Sequence, residues 1–138
     1  MVKSKEKGYD PIKLAKQTEK IVIKGNMRKY ANLARPLRFY DGVISATEVG
    51  CNLRCKFCFS DKPVWDPKNT GKLYKPNEVF NALSEMADKY RYRLISASAS
   101  EGTLGKKHLF ELLELVEQSK YIYILETNGM TLGDDEAF

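Results

Sequence analysis

The sequence predicts an α/β protein with about three parallel βα units behind a helical N-terminal extension. Three observations predict it. From residue 42 onward, short apolar strands alternate with helical patterns of about 10–15 residues, as βαβ units do. Each of the three strands runs into an unusual loop, and parallel architectures build their sites where strands end. The 138 residues, 43% hydrophobic and 30% charged, suit one domain with a real core.

The elements follow in order. Residues 1–8, "MVKSKEKG", read as disordered. Asp10 and Pro11 mark a helix start, as N-cap and first helical residue, and "PIKLAKQTEKIVIKG" carries that helix to Gly25. A second basic segment, "NMRKYANLARPL", completes an extension over residues 1–41. The body, residues 42–138, opens with the strand "GVISATEV", ended by Gly50. A long polar connection, "SDKPVWDPKNTGKLYK", leads to the helix "PNEVFNALSEMADKY". There Val79, Phe80, Leu83, Met86, Ala87 and Tyr90 share a face. "YRLISASAS" is the second strand, and "KKHLFELLELVEQS" is a helix with Leu109, Leu112, Leu113 and Val116 inward. "YIYILET" is the third strand, followed by "NGM" and the start of another helix in "TLGDDEAF".

The net charge of +5 is unevenly spread. Residues 1–41 hold 11 Lys/Arg against 4 Asp/Glu, and the body is slightly acidic. A basic arm can bind RNA, but no aromatic-rich RNA-binding motif accompanies it, and a solvated helix with a tail explains the charge as well. No apolar run approaches the roughly 18 residues of a membrane span, and the N-terminus lacks the apolar region of a secretory signal.

All three cysteines, Cys51, Cys55 and Cys58, lie in "CNLRCKFC". An odd, tight cluster is not a disulfide framework, and it suits a reducing cytoplasm. Three thiolates at C-x3-C-x2-C can converge on one inorganic centre. A structural zinc site normally takes four ligands, and His108, the one histidine, is the available fourth. Most [4Fe–4S] sites also use four cysteines, so three would leave one iron free to bind something else.

The spacing C-x3-C-x-aromatic-C, with Phe57 before Cys58, resembles the signature of the radical S-adenosylmethionine (SAM) enzymes. The resemblance covers roughly residues 42–132 and implies a partial (β/α) barrel, of which this chain supplies about three units. It implies that Cys51, Cys55 and Cys58 ligate a [4Fe–4S] cluster whose open iron chelates the amino and carboxylate groups of SAM. One electron then splits the sulfonium into methionine and a 5′-deoxyadenosyl radical, which abstracts hydrogen from a substrate. The cofactor supplies that chemistry, and the protein supplies orientation and exclusion of side reactions. Phe57 resembles the aromatic that packs near the SAM adenine, or it shields the cluster. Arg54 and Lys56 either place positive charge beside it and raise its potential, or are simply solvated.

Two departures from the family pattern stand out. Where the family carries a Gly-Gly-Glu-Pro-like motif, this chain has Ala99, Ser100, Glu101 and Gly102. Backbone groups here and the Ser100 hydroxyl are candidates to hold SAM, and Glu101 is either a SAM contact or support, or a helix-entry carboxylate. "ETNG", with Thr127 and Asn128, resembles the polar end of the family's third strand, or is simply a turn. His108 reads as a surface residue at a helix start, and Trp65 as cover for the rim. The second departure is length: the later strands of the barrel are absent, which points to a truncated or split enzyme completed by the missing half-barrel or another chain. The substrate is open, with glycyl-radical activation and RNA or cofactor modification as subclasses, and a ferredoxin or flavodoxin is the expected reductant. Two other readings are a non-catalytic iron–sulfur or zinc module with a degenerate SAM site, and a basic RNA-binding partner.

Overall fold

The computed structural model describes residues 10–135 and 138. The disorder expected over residues 1–8 lies outside the described residues. Helix α1 spans Pro11–Val22 and starts as its sequence dictates: Asp10 Oδ1 accepts from the amides of Ile12 (2.9 Å) and Lys13 (3.4 Å). Ala15, Thr18 and Val22, spaced three and four apart, are its buried face.

The helix stops at Val22 rather than running to Gly25. Strand β1 (Ile23–Lys24) turns through Gly25 and Asn26 into strand β2 (Met27–Leu37), with Lys24 paired to Met27. The basic segment expected to extend a helical N-terminus is therefore an 11-residue antiparallel strand. A short 3-10 turn at Phe39–Asp41 leads to β3 (Val43–Glu48), which pairs antiparallel with β2.

The polar connection that follows also carries structure. It contains a short helical turn, α2 (Lys62–Trp65), and a strand, β4 (Lys72–Tyr74), which pairs with β2 at Arg28–Tyr30. Helix α3 (Pro76–Tyr90) begins with Pro at its first position and with Glu78 accepting from the Lys75 amide at 2.8 Å, and it ends at a left-handed Arg91 (φ 62°). Strand β5 (Leu94–Ser98), helix α4 (Lys106–Glu117), strand β6 (Ile122–Leu125) and helix α5 (Met130–Asp134) complete the order.

The sheet runs β1-β2-β3-β5-β6, with β3, β5 and β6 parallel. Residues alternate across it. One face, with Ile44, Ala46, Ile95 and Ala97, packs on Val79, Leu83 and Ala87 of α3 and on Leu112 and Val116 of α4. Each Val, Leu or Ile among them contributes about 1.5–3 kcal/mol when fully buried. The other face carries Val43, Ser45, Thr47, Ser96 and Ser98. The three parallel strands deliver the cysteine loop, residues 99–105 and residues 126–129 to a common C-terminal edge.

Candidate functional site at the C-terminal rim

Three loops of very different sequence meet at this edge, and hydrogen bonds join them. Gly50, at φ +108°, turns the chain out of β3 into Cys51. The Gly50 carbonyl accepts from the Glu101 amide at 3.0 Å. Asn52, buried between the first two cysteines, donates to the Pro11 carbonyl at 3.1 Å, and its Oδ1 accepts from Asn128 Nδ2 at 2.9 Å. Ser60 Oγ donates to the Ala99 carbonyl at 2.6 Å, and Ser100 Oγ donates to the Glu48 carbonyl at 2.7 Å.

Glu101 is buried and its carboxylate receives four donors. Oε2 accepts from the Thr103 amide (3.0 Å), the Thr103 hydroxyl and the Thr127 hydroxyl, and Oε1 accepts from the Asn128 amide (2.7 Å). The carboxylate's bonds thus go to the rim loops, while the amide of Gly105, the N-cap of α4, is served by Glu19 Oε2 of α1 at 2.7 Å. Gly102 sits where β6 passes closely. A Cβ there would lie 2.9 Å from the Glu126 carbonyl oxygen. Ala99 holds a left-handed φ of 78°, a conformation that favours glycine.

Behind the rim lies a buried guanidinium. Arg28 Nη1 donates to the Leu104 carbonyl (2.7 Å), and Nη2 donates to the carbonyls of Glu101 (2.8 Å), Val49 and Gly50 (both 3.3 Å). Nη1 also pairs with Glu48 Oε2 at 3.3 Å. Burial pushes the Glu48 carboxyl up to about 7, outweighing the opposing effect of Arg28, and Oε1 has no hydrogen-bond partner among the described residues. Neither residue was picked out from sequence as part of the site. The available signal was a carboxylate at the end of an otherwise apolar strand, which has to be paired if buried.

His108 is not a surface residue. It is buried, with Nδ1 2.8 Å from the Asn26 carbonyl and Nε2 2.8 Å from the Tyr30 hydroxyl. The carbonyl requires the proton on Nδ1, so Nε2 accepts from Tyr30. Burial lowers its pKa to about 4. With both ring nitrogens engaged, His108 is no fourth metal ligand for the cysteines. Trp65 is half exposed and lies under the Arg54 guanidinium at 5.2 Å from the ring centroid, while Arg54 Nη1 donates to the carbonyls of Cys51 and Leu53.

The three cysteines are free thiols on one loop, all partly exposed, and the Cys58 amide closes a turn on the Cys55 carbonyl at 3.1 Å. Among the described residues no three His, Cys, Asp or Glu side chains are gathered closely enough to hold a metal ion. Burial pushes the Cys51 thiol above its ordinary range, so a metal must displace its proton. The chemistry of the donor set fits an iron–sulfur cluster with one open iron: three thiols share the loop, and the only imidazole is engaged elsewhere. Phe57, at 89% exposed, projects from the same loop.

A mixed α/β sheet whose three parallel strands end in loops bonded into one rim beside three thiols defines a partial-barrel domain with a rim site. The chain belongs to the radical SAM superfamily, whose profile matches residues 47–138. A protein of Methanocaldococcus jannaschii, named provisionally as a glycyl-radical enzyme activating enzyme, is 33% identical over 91 residues, which cover 66% of this chain. The match spans about a third (33%) of that relative's length. No solved structure matches the chain. Among the described residues no helix is long and apolar enough to cross a membrane.

Proposed function

We propose that this chain is the cluster- and SAM-bearing part of a cytoplasmic radical SAM enzyme, with Cys51, Cys55 and Cys58 as the ligands of a [4Fe–4S] cluster. The observation that carries the reading is the bonded rim: in a chain of this superfamily, the three-thiol loop is tied to residues 99–105 through Gly50 and to residues 126–129 through Asn52. When bound, the cluster and SAM supply one-electron cleavage of the sulfonium and a 5′-deoxyadenosyl radical.

The protein's own groups hold the loops in place. Glu101 uses its carboxylate on Thr103, Thr127 and Asn128, so its role is support of the rim. Ser100 spends its proton on the Glu48 carbonyl, which leaves its hydroxyl oxygen as an acceptor for the SAM ammonium. Phe57 is placed to cover the adenine or the cluster. The remaining barrel wall comes from a longer protein or from another chain, and the electron comes from a ferredoxin- or flavodoxin-like donor. Similarity to the activating-enzyme relative favours one subclass, in which the hydrogen donor is a glycine of a partner protein.

Electron paramagnetic resonance of anaerobically reconstituted, reduced protein, with and without SAM, tests the proposal. A cluster signal that changes with SAM, together with 5′-deoxyadenosine formation, is expected. A cluster indifferent to SAM would leave a non-catalytic iron–sulfur module, and colourless protein with stoichiometric zinc would overturn the reading.

A further inference from the structure

The sheet face opposite the helices is unusual for parallel strands. Strands with both faces covered are apolar on both. Here β3 and β5 present Ser45, Thr47, Ser96 and Ser98 in adjacent register, with Ser45 paired to Ser96 and Thr47 to Ser98. The hydroxyls are linked: Ser96 Oγ donates to Ser45 Oγ at 3.1 Å, and Ser45 Oγ lies 2.9 Å from Ser98 Oγ. Arg35 of β2 lies alongside them. Its Nε donates to Thr47 Oγ1 at 2.9 Å and its Nη2 to Ser98 Oγ at 3.3 Å. The hydroxyls fix the plane of the guanidinium without neutralising it. Among the described residues no carboxylate pairs with Arg35, and nothing bonds to its Nη1.

Arg35, Ser45, Ser96 and Ser98 line a cavity of about 450 Å³, rimmed by Phe39, Tyr40 and Phe59, all well exposed. An oriented, unpaired cation with aromatic walls is the make-up of a small-molecule site: a few polar groups fix orientation and apolar surface supplies contact. Glu126 lines the same cavity from the end of β6. Three strand spacings of about 4.8 Å separate its strand from that of Arg35, roughly 14 Å along the sheet.

We propose that this face binds a small carboxylate with a planar apolar body, its carboxylate on Arg35 and its body against Phe39, Tyr40 and Phe59. The free end of a guanidinium matches a carboxylate, which needs only two parallel N–H donors. A phosphate dianion fits less well, because Glu126, which lines the same cavity, opposes a second negative charge. Binding at this face does not depend on which molecule donates hydrogen. It is therefore read on protein without cluster or SAM, independently of the proposed function.

Amide NMR of the full chain under reducing conditions, titrated with sodium benzoate, tests it. Saturable shifts clustered at Arg35, Ser45, Thr47, Ser96 and Ser98 are expected. Arg35→Gln, or benzamide in place of benzoate, weakens binding about tenfold, in line with loss of a charge-assisted contact. Phe59→Ala, on an exposed side chain that does not threaten the fold, weakens it about threefold or more. Diffuse or unsaturable shifts, or affinity unchanged in both variants, would overturn the proposal. So would tighter binding of phenyl phosphate, or binding of the peptide acetyl-Gly-Asp-Gly-amide where benzoate has none.

Discussion

Asn52 and Asn128, 76 positions apart, meet side chain to side chain at 2.9 Å and so fasten the cysteine loop to the loop after the third parallel strand. Asn52 is fully buried and also serves the Pro11 carbonyl, whereas Asn128 is exposed. Asn52→Ala is expected to cost about 2 kcal/mol, because both bonds of a fully buried side chain are lost, and Asn128→Ala under about 1 kcal/mol. Urea denaturation of both variants and the double variant measures the costs and the coupling, expected at about 0.5–1.5 kcal/mol.

Arg28 is a clamp on carbonyls before it is an ion-pair partner. Arg28→Met is expected to destabilise by about 3–5 kcal/mol, since Glu48 is left as a buried unpaired acid. Removing both charges, Arg28→Met with Glu48→Leu, relieves that penalty but leaves the Leu104 carbonyl without its guanidinium donor and the Glu101 carbonyl with only the Leu104 amide at 3.5 Å. At least about 2 kcal/mol of the loss should remain. Full recovery in the double variant would show that only the pair mattered.

His108 and Glu48 give opposed pH dependences. His108 titrates near 4 in the folded chain against an ordinary 6.5, so its contribution is complete above 6.5 and is lost as pH falls toward 4. Glu48 titrates near 7 against an ordinary 4.5, so its contribution is complete below 4.5 and is lost as pH rises through 7. Between 4.5 and 6.5 the two slopes cancel, and the native chain should show a flat profile there. His108→Gln should expose the falling slope, about 3 kcal/mol between pH 4.5 and 7. Glu48→Gln should expose a rising one between 4 and 6.5. Chemical denaturation across this range checks both.

Ala99 sits at φ 78° where the family motif would place glycine. A left-handed alanine costs about 1–2 kcal/mol, partly offset by the greater chain entropy that glycine loses on folding. Ala99→Gly is therefore expected to stabilise the chain by about 0.5–1 kcal/mol, read from the urea midpoint.

The helices and parallel strands were legible because they are strongly periodic. The predicted helix from Pro76 to Tyr90 is the observed α3, and the three apolar runs are β3, β5 and β6. Strand β2 was not legible. Register shifts between Tyr30 and Asn32 and between Asn32 and Arg35 break its two-residue alternation, and Pro36 argued against a strand. Pro36 is tolerated because β4 pairs only with residues 28–30, leaving one side of β2 open there. The same misreading assigned Arg28 and Lys29 to a solvated basic arm. Arg28 is buried behind the rim, and Lys29 Nζ donates to the carbonyls of Pro67 and Lys68. His108 could have been placed from spacing, since it lies one turn before the buried Leu112. The loops of the rim were legible as a group, but the bonds between their backbones were not, because a carbonyl leaves no mark in a sequence.

That silence has a consequence for how such a rim can change over generations. A guanidinium that grips peptide oxygens at positions 49, 50, 101 and 104 is indifferent to the side chains those positions carry. As far as this grip is concerned, substitutions there are tolerated when the backbone keeps its path. The loop after β5 can thus read "ASEG" instead of a glycine-rich motif and still present its carbonyls to Arg28, so a lost motif in this segment is a poor guide to a lost geometry.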